Sequence, residues 1–64
     1  MGIHDFIRFY MLDSMPVYIH EGAIVAVEYE NMGQSKIIMA NGREFVVKGE
    51  PAEIMGMIEK ARER

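Results

Sequence analysis

Residues 35–48, with the sequence SKIIMANGREFVVK, are the clearest guide to the fold. Two apolar runs flank Asn41-Gly42, and an Asn-Gly pair between such runs is the strongest short-range signal for a β-hairpin. A two-residue turn would place Lys36 and Glu44 among the large apolar side chains of the partner strand. A three-residue loop at 40–42, with a left-handed glycine in a bulge, separates charged from apolar side chains. We therefore predict a hairpin with the longer loop.

Similar apolar runs, separated by turn residues, extend outward from this hairpin toward the N-terminus. Each run is five to eight residues long and rich in Val, Ile, Phe and Tyr, which suits strands and is too short for helices. Grouping the apolar residues on one face predicts a second three-residue loop at 12–14. The predicted strands, in the order of an antiparallel meander, cover residues 6–12, 15–19, 23–30, 35–40 and 43–48.

After residue 50 the apolar spacing changes to that of a helix. Pro51 suits a first helical turn, and Ile54, Ile58 and Ala61 form an apolar stripe, so we predict a helix over 51–63. The fold class expected from these elements is α+β. It consists of a twisted antiparallel sheet, or partial barrel, of four or five meander strands with one C-terminal helix on its inner face. All 64 residues are expected to form a single small domain.

Strand alternation assigns each side chain to one of two faces of the predicted sheet. One face, with the helix, forms the expected core. Its members are Ile7, Phe9, Met11, Met15, Val17, Ile19, Ile24, Ile37, Met39, Phe45, Val47, Ile54, Met55, Ile58 and Ala61. The 7 methionines are expected mainly to fill this core, and an adaptable methionine-rich contact surface is the alternative.

The opposite face should meet solvent, yet it is rich in aromatic and aliphatic side chains. Its apolar members are Phe6, Tyr10, Tyr18, Ile38 and Val46, with Arg8 and Lys48 at the rim. A small monomeric domain rarely leaves such a patch in water, and small scaffolds often gain stability by association. We therefore predict a homo-oligomer that forms through these seven residues. The alternative is that closure of the barrel buries some of them within one chain.

Composition narrows the function classes further. The chain has no cysteine, which excludes disulfides and cysteine-based zinc sites. A net charge of −3 argues against nucleic acid as a partner. No apolar run reaches 18 residues and no signal peptide is recognisable, so we expect a cytoplasmic location without membrane insertion.

Catalytic chemistry has few candidate groups. His4-Asp5 and His20-Glu21 are the only pairs that could contribute to a metal or acid–base site. Adjacent residues on a strand point to opposite faces, so neither pair chelates easily, and surface histidine is the better interpretation. Neither Ser14 nor Ser35 lies in a nucleophile motif, and no phosphate-binding loop occurs. We predict a protein that is not an enzyme and has no cofactor and no metal.

A series of short segments spans residues 6–61 in a recognisable order. The segments are Ile7-Arg8-Phe9, Asp13-Ser14, Val17-Tyr18-Ile19, Ile24, Val27-Glu28, Ile37, Met39, NGREFVVK at 41–48, Glu53-Ile54 and Ile58. In this order the chain resembles the FlbD family of small flagellar-operon proteins. The resemblance implies a small cytoplasmic accessory protein without enzymatic activity, linked to flagellar motor function or motility. It carries over no site residues.

A second resemblance supplies the alternative function. Residues 24–58 are similar to part of a LytTR-type DNA-binding domain, in which strands and a hairpin precede a short helix. This resemblance implies a small nucleic-acid-binding regulator that reads DNA with basic and polar loops. The corresponding side chains here are Asn31, Gln34, Lys36 and Arg43.

Overall fold

The structure, a computed structural model, describes residues 6–63. The elements in chain order are β1 (Phe6–Tyr10), β2 (Pro16–His20), a 3₁₀ turn (Glu21–Ala23), β3 (Ile24–Asn31), β4 (Gln34–Met39), β5 (Glu44–Lys48) and α1 (Pro51–Arg62). The predicted α+β class, with five antiparallel strands and one C-terminal helix, is confirmed. The main difference in bounds is that β1 ends at Tyr10, because residues 12–14 form the loop that follows.

The five strands form two antiparallel sheets. β1 pairs with β2, and β3, β4 and β5 form a three-stranded sheet in that order. The 3₁₀ turn after β2 redirects the chain, so β2 and β3 are consecutive without being hydrogen-bonded neighbours. One isolated bridge, between Met11 and Val47, links the two sheets at the other side. Among residues 6–63 the arrangement is a partial barrel that does not close.

The hairpin between β4 and β5 has the predicted three-residue loop. Met39 N–H donates to the Arg43 carbonyl at 2.8 Å, and Gly42 N–H donates to the Met39 carbonyl at 2.9 Å. Gly42 is left-handed with φ 89°, as the prediction requires. The side chain of Asn41 accepts the Arg43 N–H at 3.0 Å, which holds the turn. As a result Ile37 lies opposite Phe45, and the charged residues lie on the other face.

The hairpin between β1 and β2 has the same loop. Met11 N–H donates to the Met15 carbonyl at 2.9 Å, and Ser14 N–H donates to the Met11 carbonyl at 2.8 Å. Asp13 accepts the Met15 N–H at 3.0 Å, as Asn41 does for Arg43 in the second hairpin. Ser14 therefore occupies the left-handed position, with φ 72°, although it is not glycine.

The core lies between the inner faces of both sheets and α1. It comprises Ile7, Phe9, Ile19, Ile24, Ile37, Val47, Ile54 and Ile58, with Met11, Val17, Val27, Met39, Phe45 and Ala61 partly buried against it. Two core predictions are wrong. Met15 is 61% exposed because it lies beside the loop at the hairpin tip, and Met55 is 38% exposed because it follows the buried Ile54 around the helix.

The start of α1 is fixed by contacts with the β3–β4 turn. Gly49 N–H donates to the Gly33 carbonyl at 2.8 Å, and Gly33 N–H donates to the Glu50 carboxylate at 2.7 Å. Ser35, which is fully buried, donates its hydroxyl to the Gly49 carbonyl at 2.6 Å. Glu53 accepts the Glu50 N–H at 3.2 Å, as in a capping box. These bonds direct the chain from β5 across the core.

Candidate interaction surface

The seven residues predicted as an interface are divided between the two sheets. Phe6, Arg8 and Tyr10 alternate along β1, and Tyr18 lies opposite Arg8 on β2. The other three are Ile38 on β4 and Val46 and Lys48 on β5. Ile7 and Phe9, which alternate with the β1 members, are buried, so the β1 members face away from the core. We call these seven residues the outer surface.

Three aromatic rings dominate the half of the outer surface on β1 and β2. The exposed fractions are 47% for Phe6, 43% for Tyr10 and 61% for Tyr18. The Arg8 guanidinium lies 5.6 Å from the centroid of the Tyr10 ring, within cation–π range. The Phe6 ring meets the His20 ring edge-on, with centroids 5.2 Å apart and planes at 84°. The aromatic half is therefore partly ordered by its own contacts.

The half of the outer surface on β4 and β5 is less exposed. Ile38 and Val46 are half-buried, and their cross-strand neighbours on the three-stranded sheet are Glu44 and Lys36. Among these neighbours, Lys36 lies 3.6 Å from one carboxylate oxygen of Glu30 and 3.6 Å from one of Glu44. The Glu44 carboxylate, followed by that of Glu30, raises the pKa of Lys36 above its ordinary value. This half is thus a small apolar area bordered by a charged network.

Leu12 lies between the two halves of the outer surface, although it was not among the residues predicted to form the interface. It is 47% exposed and lines an open hollow of about 440 Å³ together with Met11, Asp13 and Val46. The predicted strand 6–12 and the predicted loop 12–14 overlap at Leu12, and we did not include it in the predicted interface; in the structure it belongs to the loop. Its place beside the Met11–Val47 bridge makes the apolar surface continuous from β1 to β5.

A second hollow, of about 320 Å³, opens between β1, the end of β5 and α1. We call it the β1–β5 cleft. Its lining residues are Arg8, Phe9, Tyr10, Lys48, Gly49, Glu53, Ile54 and Met57. Phe9 and Ile54 also belong to the core, so the floor of the cleft is apolar. Two cationic side chains of the outer surface, Arg8 and Lys48, contribute to its walls.

The candidate metal-ligating residues do not form a site in the described chain. His20 accepts the Gly22 N–H with Nδ1 at 3.1 Å, and Glu21 accepts a hydrogen bond from Arg62 Nε at 2.6 Å. Within residues 6–63 no three His, Cys, Asp or Glu side chains gather closely enough to hold a metal ion. His4-Asp5 lies outside the described residues. In the same range no helix is long and apolar enough to cross a membrane.

The polar side chains that the DNA-binding alternative requires lie at different places. Asn31 and Gln34 flank the turn at one end of β4, whereas Arg43 follows the loop at the other end. Arg43 covers the Phe45 ring at 4.9 Å, and Lys36 lies between carboxylates. This arrangement does not form one continuous basic face.

Comparison of the chain with protein-family models, with curated proteins and with solved structures finds no match. The resemblances to the FlbD family and to part of a LytTR-type domain therefore stay predictions from the sequence.

Proposed function

We propose that this protein is a non-enzymatic interaction module that self-associates through its outer surface. The observation that supports the proposal most directly is the exposure of Phe6, Tyr10 and Tyr18 on one face of a two-stranded sheet. Burying such rings between two copies removes a large apolar area from water, at about 25 cal/mol per Å². Leu12 and the half-buried Val46 extend the same area toward β5.

The chemistry of the surface suits the centre of an interface. Tyr and Arg are enriched among residues that contribute most to binding, and here Arg8 lies against the Tyr10 ring. The charged network around Lys36 suits a rim, since exposed ion pairs contribute little to affinity and more to specificity. The aromatic half is therefore the proposed centre, and the β4–β5 half is its edge.

An accessory role in the cytoplasm, as the FlbD resemblance implies, belongs to the same proposal. An accessory protein acts by assembling with itself or with other proteins, which an exposed aromatic face permits. The nucleic-acid alternative has less support. The net charge is −3, and Lys36 and Arg62 lie beside carboxylates that would compete with phosphate.

The proposal is tested by solution mass, measured by light scattering at several protein concentrations and two salt levels. We expect a defined multiple of the monomer mass that does not change with salt. Tyr18→Asp and Ile38→Asp should each shift the mass toward that of the monomer while circular dichroism stays native. Tyr29→Asp is a matched control, because Tyr29 is 64% exposed and lies opposite the buried Ser35, on the inner side of the sheet.

Two results would contradict the proposal. One is a wild-type chain that stays monomeric at micromolar concentration. The other is an oligomer whose mass is unchanged in both Tyr18→Asp and Ile38→Asp. Retention of DNA with a steep dependence on salt would instead favour the LytTR-like alternative.

A further inference from the structure

The edge of β1 that faces away from β2 is only partly paired. In the described chain the Met11–Val47 bridge is the one recorded pairing between this edge and the three-stranded sheet. β5 ends at Lys48, and Gly49, with φ 123°, turns the chain toward α1. The part of β1 around Arg8 consequently borders the β1–β5 cleft and no strand.

The hydrogen-bond pattern of the first hairpin determines which backbone groups point into this cleft. The bond from Met11 N–H to the Met15 carbonyl marks those two residues as a hydrogen-bonded pair. Such pairs alternate with non-bonded pairs along an antiparallel ladder, and Arg8 lies opposite Tyr18 in a non-bonded pair. Arg8 and Tyr10 therefore direct their N–H and C=O groups away from β2, and both residues line the cleft.

The two outermost sheet edges of residues 6–63 carry features that oppose strand addition. Pro16, on β2, has no N–H to donate. β3 has register shifts at both ends of its pairing with β4, and it carries Glu28 and Glu30. Irregular register, proline and charge are the usual means by which a protein protects an exposed edge. The β1 edge at the cleft has a regular register and no proline, and Arg8 is its charged residue.

The side chains around the cleft define the chemistry of a matching strand. Phe9 and Ile54 offer an apolar floor on the inner side, beside the partly exposed Met57. Arg8 and Lys48 are the cationic lining residues, and Lys48 Nζ also donates to the Ser14 hydroxyl at 2.6 Å. Glu53, the one acidic lining residue, accepts the Glu50 N–H at the helix start. Side chains alternate along a strand, so apolar residues would face the floor and carboxylates would face the cations.

We propose that the β1–β5 cleft binds an extended segment of another protein, in which apolar and acidic residues alternate, and that this segment adds to β1 as a strand. Main-chain hydrogen bonds to the N–H and C=O of Arg8 and to the N–H of Tyr10 provide affinity, and the apolar floor and the two cations provide specificity. This interaction goes beyond self-association, because it uses a backbone edge and a different partner.

The test is a titration of the full-length protein with blocked peptides, followed by the amide NMR signals of the protein. The probe peptide has the sequence Glu-Leu-Glu-Leu-Glu. One control replaces each glutamate by lysine, and the other carries a methyl group on every backbone nitrogen. We expect the acidic peptide to bind at or below about 1 mM, with shifts centred on Arg8, Tyr10 and Gly49. Both controls should bind at least about tenfold more weakly, a difference of about 1.4 kcal/mol.

Two variants separate the cleft from charge in general. Arg8→Glu should reverse the preference between the acidic and the basic peptide, whereas Lys60→Glu, the same change of charge on an exposed helix position, should leave it unchanged. Absence of binding at about 1 mM overturns the proposal. Equal binding of the acidic and basic peptides, undiminished binding of the methylated peptide, or shifts centred away from the cleft do so as well. Arg8 also belongs to the outer surface, so light scattering on every sample, Arg8→Glu included, reports self-association separately and distinguishes failure of one proposal from failure of the other.

Discussion

Ser14 adopts a backbone conformation that its side chain disfavours, and its replacement by glycine should stabilise the fold. Its φ is 72°, and Gly42 occupies the equivalent position of the second hairpin with φ 89°. A left-handed conformation costs an L-residue about 1–2 kcal/mol. Glycine loses more conformational freedom on folding, which offsets about 0.5–1 kcal/mol of that relief. We therefore expect Ser14→Gly to raise the free energy of unfolding by about 0.5–1 kcal/mol.

Gly42→Ala is the reverse experiment and should lower the free energy of unfolding by a similar amount. A methyl group at position 42 would meet no atom within 4 Å, so the loss would come from the backbone alone. Ser14→Ala is the control for the hydroxyl, which accepts a hydrogen bond from Lys48 Nζ at 2.6 Å in an exposed place. This control should change stability much less than Ser14→Gly does.

Urea denaturation followed by circular dichroism measures these differences, with all variants at one protein concentration because self-association adds to stability. In a domain of this size, 1 kcal/mol corresponds to a shift of about 4–8 °C in Tm. If Ser14→Gly lowers stability while Ser14→Ala leaves it unchanged, the argument from backbone strain is refuted.

Three further perturbations test other parts of the fold. Gly56→Ala should raise the free energy of unfolding by about 1 kcal/mol in urea, because the added methyl group meets no atom within 4 Å, and a loss of stability would contradict this. Ser35→Ala should lower it by about 1–3 kcal/mol, because the Gly49 carbonyl loses its hydroxyl donor; an unchanged urea midpoint would show that this bond is unimportant. The third test compares wild type with Lys36→Gln over a range of pH. Since Glu44 raises the pKa of Lys36 above 10.5, the stabilising contribution of its charge is present below that pH and disappears as the pH rises through the raised value. A stability difference that grows in this alkaline range would be inconsistent with the assignment.

The local features of the fold could be predicted because they depend on neighbouring residues. Asn41-Gly42 and the positions of the charged residues were sufficient to predict a three-residue loop and the face that Ile37 shares with Phe45 and Val47. The same reasoning found the loop that contains Ser14, although it has no glycine. The division into two sheets could not be predicted in this way. It depends on a short 3₁₀ turn, Glu21–Ala23, whose sequence is also compatible with an ordinary hairpin turn.

The candidate interaction surface could also be predicted only in those parts that depend on alternation along one strand. Alternation along the strands correctly assigned Phe6, Tyr10 and Tyr18 to a face that points away from the core. Leu12 was not included because the predicted strand and the predicted loop overlapped there, and alternation gives no information on how far Ile38 is buried. The β1–β5 cleft was also inaccessible to this reasoning, because its walls come from three elements that meet only in the folded chain.

The single bridge between Met11 and Val47 has a consequence for how the shape of this protein can vary. Hydrogen bonding holds neighbouring strands of a sheet at a fixed spacing, but within residues 6–63 backbone pairing joins the two sheets at one point, Met11–Val47. Their relative inclination also depends on the 3₁₀ connection at Glu21–Ala23, on the exposed Lys48–Ser14 hydrogen bond and on the packing of core side chains such as Phe9. A substitution that adds or removes one methylene group in this core can therefore change the angle between the first hairpin and the three-stranded sheet. The hydrogen bonds within each sheet stay intact in such a change.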